Sequence, residues 1–282
     1  MGWEEGPLIG LDFETTGVDP LLDRPVQVAI VTSTPSGPTS TEVFLVDPGC
    51  EIPEAAVAIH GITTERARRE GRSLEDSARR VHAAMVQAVT EPVPVVAMNA
   101  SFDLTIAETL FASFGLRPLE WRAVIDPLVL DRHLDRYRKG KRRLDALCAH
   151  YRIVLAQAHD AASDASAAVE LTRQIARAFP SCARTSPEEL TKLQASWHRQ
   201  WAEHYDEWRR SEGMDGLAPE EFSWPLREPA ALGRRGRSAE ARQHGVDVLL
   251  GAAGVHDGET DHHLAVVRGR HDEGRTRLQQ LF

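Results

Sequence analysis

The alternation of apolar and polar positions divides the first 180 residues into short apolar runs and longer amphipathic stretches. Leu8 to Glu14, "VQVAIVTS" from Val26 and "STEVFLVDP" from Ser40 read as strands. Their connections, "GVDPLLDRP" and "TPSGPT", are short and bear Pro and Gly, so the three strands are expected to form an antiparallel meander. "IPEAAVAIHGITTERARREG" reads as helical turns broken at Gly61, and "SLEDSARRVHAAMVQAV" as an amphipathic helix with Ser73 as N-cap and Asp76 three residues on. "VPVVAMN" is a short buried strand, and "FDLTIAETLFASFG" a helix closed by Gly115. "WRAVID" is a further strand, followed by the helix "PLVLDRHLDRY" with Asp126 as cap and Pro127 at its first position. Helices from about Leu144 and about Ala162 end near Phe179. The crossovers after the meander require parallel pairing of the later strands. This order predicts an α/β domain over residues 1–180. Its mixed sheet combines an antiparallel three-strand meander with two parallel strands, flanked by helices.

Residues 181–226 predict a helical extension. Ser186 caps a long helix, Pro187 takes its first position and Glu189 completes a capping box. Leu190, Leu193, Trp197, Trp201, Tyr205 and Trp208 share one face, a stripe that reads as packing against the main domain or a partner. Residues 227–282 are rich in Gly, Arg, Ala and His and predict a flexible tail. "HDGETDHH" within it is dense in metal-binding side chains, but no strand leads into it and no metal site is assigned there.

Composition narrows the class. With 42% hydrophobic and 27% charged residues, the chain reads as globular, and no apolar run approaches the roughly 20 residues of a membrane helix. "MGWEEGPLIG" has no basic residue before its apolar run and Gly at position 6, which fits neither a signal peptide nor a myristoylation site. Cys50, Cys148 and Cys182 show no metal or disulfide pattern, so a cytoplasmic location is expected. A net charge of −9 disfavours wholesale coating by nucleic acid but leaves room for a local basic patch. The candidates are "RHLDRYRKGKRR", from Arg132, and "ERARREGR", from Glu65, with the former preferred as a phosphate contact.

The candidate chemistry lies in acids. Asp12 and Glu14 are two apart in a strand, so both point to one face at its end. Asp103 falls in the first turn of a helix that follows a strand, and His159 and Asp164 stand at the start of another helix. Strand ends and helix starts on one edge of an α/β sheet are where ligands bind. Carboxylates converging there repel one another unless cations lie between them. Oxygen ligands without Cys point to Mg²⁺ or Mn²⁺. Asp160 reads as a helix cap, and Asp126 as a cap rather than a member of the acidic site.

"LDFETTG", "NASFD" and "HDAASD" resemble the three motifs of the DEDD exonuclease superfamily. His159, five residues before Asp164, corresponds to the His-containing DEDDh branch, and the chain most resembles its proofreading members, of the polymerase III epsilon type. The likeness covers about residues 7 to 180 and includes "IHGIT", "VIDPLVLDRHL" and "LDALCAHYRI". It implies an RNase H-like fold and a metal-dependent 3′–5′ exonuclease that releases nucleoside 5′-monophosphates. It further implies two divalent cations, with Asp12, Glu14 and Asp164 on one and Asp12 and Asp103 on the other, and His159 as general base. Thr15 and Thr16 would meet the terminal nucleotide through their main chain, Phe102 would stack near a base, and His60 would also touch substrate. The implied partner is a single-stranded or frayed 3′ end of DNA. An RNA exonuclease resembling oligoribonuclease or RNase T, and a silent binding module on the same fold, are the alternatives. A polymerase subunit could dock on the Trp-striped helix, and "TRLQQLF" at the C-terminus is an imperfect sliding-clamp peptide.

Overall fold

The carboxylates at the end of the first strand owe their position to how that strand divides its side chains between two helical layers. A computed structural model describes residues 2–91, 93–155 and 160–227. Strands β1 (Leu8–Thr15), β2 (Pro25–Thr34) and β3 (Gly37–Leu45) pair antiparallel, while β4 (Val95–Val96) and β5 (Val124–Ile125) run parallel to β1. The sheet order is β3-β2-β1-β4-β5, the mixed sheet expected of an RNase H-like fold. The helices are α1 (Glu54–His60), α2 (Thr64–Glu70), α3 (Leu74–Thr90), α4 (Ala100–Ser113), α5 (Pro127–Leu134), α6 (Leu144–Tyr151), α7 (Ala161–Ala178), α8 (Pro180–Arg184) and α9 (Pro187–Ser211).

The meander is tighter than the sequence pattern suggests. β2 and β3 extend through most of "TPSGPT" and leave only Pro35 and Ser36 between them, because Gly37 takes φ 117°, which an L side chain resists. β4 and β5 are only two residues long. Their buried Val and Ile residues fill the sheet, and the chain then turns into α4 through Asn99 in the left-handed conformation and into α5 through Asp126.

Alternation on β1 sends Leu11 and Phe13 into a core with Val81 and Met85 of α3 and Leu104 and Phe111 of α4. Leu8 packs on the opposite layer with Leu171 and Ile175 of α7. Gly10 belongs to that second face. A Cβ there would stand 2.7 Å from Ala165 O and 3.0 Å from Val169 Cγ2, so only glycine lets α7 approach this closely. That approach brings the first turn of α7 to the end of β1.

α9 covers the sheet edge in a way the apolar pattern does not predict. Its buried face is mostly polar, consisting of Leu190, Thr191, Gln194, His198 and Ala202, while the Trp and Tyr stripe lies half-buried along its flank. β5 is an edge strand with backbone groups that would otherwise be left without partners. Val124 N donates to Thr191 Oγ1 at 2.9 Å, Asp126 N to Gln194 Oε1 at 2.8 Å, and Gln194 Nε2 to Val124 O at 2.8 Å. Trp and Leu side chains could not accept those bonds. The Ser186 half of the expected capping box forms, with Glu189 N donating to Ser186 Oγ, but the Glu189 carboxylate pairs with Lys192 at 3.7 Å instead. Beyond α9 the chain returns across α4, where Arg227 N, assigned to the tail on sequence, donates to Thr105 Oγ1 at 2.8 Å. The remainder of the expected tail, 228–282, lies outside the described residues, and with it "HDGETDHH" and "TRLQQLF".

Gln194→Leu keeps the volume but leaves Asp126 N buried without a partner and Val124 O with only the Thr191 hydroxyl, at 3.2 Å. It is expected to cost about 1–3 kcal/mol in urea unfolding followed by tryptophan fluorescence, and an unchanged midpoint would contradict the edge-sealing role.

Candidate active site

Asp12 and Glu14 project from the same face of β1, and Asp164 from the first turn of α7. One carboxylate oxygen from each lies within 4.8 Å of the others. Asp103, in the first turn of α4, sits behind them. It is buried, and its Oδ1 accepts the Phe13 amide at 3.1 Å, which ties α4 to the middle of the Asp12–Glu14 pair.

The electrostatics are unfavourable without a cation. Burial, then the charges of Asp103, Glu14 and Asp164, hold the Asp12 carboxyl well above the usual carboxylate range. Burial and the charges of Asp164 and Asp160 push Glu14 up to about 8. Burial also raises Asp103, although the Phe13 amide opposes the shift. Such a cluster either takes protons or takes a cation. Three carboxylates this close, without sulfur or nitrogen donors among the described members, suit a hard divalent ion.

The acids open into a cleft of about 160 Å³ that Thr15, His60 and Phe102 also line. His60 Nδ1 accepts the Ile62 amide at 3.0 Å, so its Nε2 carries the proton in the neutral ring. Thr16 does not join this lining. Its amide donates to Arg24 O at 2.9 Å, and its hydroxyl donates to Asp23 at 2.9 Å while accepting from Arg24 N, so it braces the β1–β2 loop. Asp160 caps α7 by accepting Ser163 N at 3.1 Å. His159 lies outside the described residues.

Asp126 has a larger role than the cap of α5 that the Asp-Pro pair suggests. It accepts amides of Leu128 at 2.9 Å, Asn99 at 3.1 Å and Ala100 at 2.9 Å, and the Trp224 indole at 3.3 Å. One carboxylate thus fixes the starts of both α4 and α5, and with them the position of Asp103. No local signal marks the contacts to Asn99 and Ala100, which are 27 and 26 residues away.

The two basic runs are largely committed to structure. Arg138 and Arg142 pair with buried Asp131 at 3.2 and 2.7 Å, and Arg143 pairs with Asp145. In the other run Arg66, Arg68, Arg69 and Arg72 each pair with a neighbouring acid.

A family model described as exonuclease, that of RNase T, matches residues 9–172, a span that holds all four acids. The chain belongs to the DEDD-type 3′–5′ exonuclease family. Among its relatives, the PolC-type DNA polymerase III of Listeria welshimeri is 28% identical over 171 residues, 61% of this chain and 11% of that one. The PolC-type enzyme of Listeria monocytogenes is 29% identical over 168 residues, 60% of this chain and 11% of that one. Among solved structures, E. coli Exonuclease I in complex with a dT13 oligonucleotide superposes with a TM-score of 0.55 at 25% identity, covering 62% of this chain and 42% of that one. The zinc ion bound form of the Exonuclease I–single-stranded DNA complex gives 0.55 and 25%, over 69% and 43%. The chain therefore spans about a tenth of the length of the two polymerases and under half that of Exonuclease I. Among its described residues, no helix is long and apolar enough to cross a membrane.

In metal-free buffer Asp12→Asn is expected to raise the melting temperature, by about 2–4 °C for each kcal/mol of repulsion removed. Because the folded Glu14 carboxyl sits near 8, above its value of 4.5 in the open chain, its contribution favours folding at low pH and is lost as pH rises through that interval. Wild-type melting should therefore fall from pH 4.5 to 8 without metal and rise on adding Mn²⁺. Asp12→Asn should show a weaker metal response. A wild type indifferent to both would contradict this electrostatic picture.

Proposed function

We propose that this chain is a divalent-metal-dependent 3′–5′ exodeoxyribonuclease, working in the cytoplasm on single-stranded or frayed DNA 3′ ends in proofreading or repair. The observation that carries the reading is the convergence of Asp12, Glu14 and Asp164 on one point, with Asp103 held directly behind by the Phe13 amide. The exonuclease unit is residues 1–180. Support for DNA comes from the matched relatives, which are DNA polymerases III and an exonuclease solved with dT13 and dA16 oligonucleotides.

In this reading Asp12, Glu14 and Asp164 hold one divalent cation, and Asp12 with Asp103 the second. Bound there, such ions polarise the phosphodiester and stabilise the developing charge on the attacking and leaving oxygens. The chain's own groups do the rest. Phe102, His60 and Thr15 line the cleft that receives the terminal nucleotide. His159 takes the proton from the attacking water, a role open at neutral pH to an imidazole, whose unperturbed pKa is ~6.5. The new P–O bond forms as the bond to the 3′ oxygen of the preceding nucleotide breaks. That oxygen takes a proton, leaving a nucleoside 5′-monophosphate and a strand one residue shorter. Association with a DNA polymerase is the corresponding partner reading, supported by the PolC-type relatives.

Full-length protein incubated with 5′-labelled single-stranded DNA, a mismatched-primer duplex or RNA should shorten the DNA stepwise from its 3′ end with Mg²⁺ or Mn²⁺ and not with EDTA. His159→Ala should lower the rate by about 10²–10⁴-fold, the usual worth of a general base, and Asp12→Ala at least as much, both without loss of fold. Shortening of RNA alone would transfer the proposal to an exoribonuclease, and shortening of nothing would end the nuclease reading.

A further inference from the structure

Two arginines of the run from Arg132 to Arg143 are not consumed by ion pairs with described residues. Arg138, Arg142 and Arg143 each bind an acid, but neither Arg132 nor Arg136 forms an ion pair with a described residue. Each lies over an aromatic ring instead, Arg132 at 3.6 Å from the centroid of Trp201 and Arg136 at 5.3 Å from that of Tyr137. Both line a second cleft, of about 120 Å³, between the α5 segment and α9, together with His133, Trp197, Trp201 and His204. Among the described residues no Asp or Glu lines it, although acids outnumber Lys and Arg 42 to 33 in the chain. The His133 ring stacks on Trp197 at 3.9 Å and 8°, while His133 itself is exposed, so the outer face of this stack is open.

Burial pushes Arg132 down to about 10, opposed by the charge of Asp126 and reinforced by that of Arg142, and burial with Arg136 holds His133 below its ordinary value. An anion in the cleft relieves both. Uncommitted guanidinium groups beside flat rings with an open stacking face match the phosphates and bases of a single strand. α9 supplies half of the cleft and begins at Pro187, beyond the 9–172 span shared with the family, so this is a feature of the extension.

We propose that the cleft between α5 and α9 is a second contact for single-stranded nucleic acid, with Arg132 and Arg136 on its phosphates and His133, backed by Trp197, stacking a base. The inference rests on the nuclease reading for its choice of ligand, and its test is separable from that reading. Binding of a labelled oligothymidylate of about 20 nucleotides to the full chain in EDTA is read by fluorescence anisotropy across a salt series. Arg136→Glu should weaken binding about tenfold and make the log–log salt dependence shallower by about one. His133→Ala should weaken it without changing that slope. Lys192→Glu, an equal charge reversal on the exposed side of α9, should bind as wild type. Hydrolysis of the p-nitrophenyl ester of thymidine 5′-monophosphate, a probe of the catalytic cleft alone, should be unchanged in Arg136→Glu. Wild-type binding by both Arg136→Glu and His133→Ala would overturn the proposal whether or not the ester is cleaved. So would a loss in Arg136→Glu confined to an oligoglutamate, which would assign the cleft to an acidic protein partner. Failure of the wild type to cleave ester and strand alike would sink the nuclease reading, while the binding series still decides the cleft.

Discussion

Like-charge repulsion among Asp12, Glu14, Asp103 and Asp164 is the constraint around which the rest of the structure is arranged. Four carboxylates at the end of a buried strand are costly to desolvate and repel one another. The fold holds them together through helix packing, through Asp126 and through one bond made by the acids themselves. Gly10 lets α7 press on β1 and deliver Asp164. Asp126 anchors α4 and α5 together, and the Phe13 amide anchors Asp103. The cost of the site is carried by packing on both faces of the sheet, and the site is left wanting positive charge.

The same economy governs the edge of the sheet. Among the described residues no further strand pairs with β5, and α9 supplies Thr191 and Gln194 where a neighbouring backbone would otherwise stand. Its polar ridge turned inward leaves its aromatic residues on the flank. There they stack with His133 and with Arg132 instead of vanishing into a core. A structural need at β5 thus generates the surface on which a second nucleic-acid contact can be built.

Much of this was legible in the sequence because it depends on local periodicity and short-range spacing. The i, i+2 separation of Asp12 and Glu14, the meander, the crossover strands and the caps Ser73, Asp126 and Ser186 all follow from such signals. The convergence of Asp164 with the β1 acids also follows once both are set at one sheet edge. Contacts between distant segments were not legible. The Asp126 bonds to the start of α4, the use of Arg138 and Arg142 on buried Asp131, and the inward polar face of α9 each join residues that sequence spacing does not relate. The Thr16 bonds to Arg24 and Asp23 show the same limit, because nothing in the motif announces that its amide and hydroxyl serve the β1–β2 loop.

The central claim is that the cluster exchanges protons for a divalent cation. Calorimetric titration of the full chain with Mn²⁺ at pH 7, in two buffers of different ionisation enthalpy, measures that exchange directly. With Glu14 near 8, and Asp12 raised by burial and by its neighbours, the cluster holds a proton at this pH in the absence of metal, so binding should release about one proton per chain. Mn²⁺ binding with no net proton release, or no binding at all, would contradict the account.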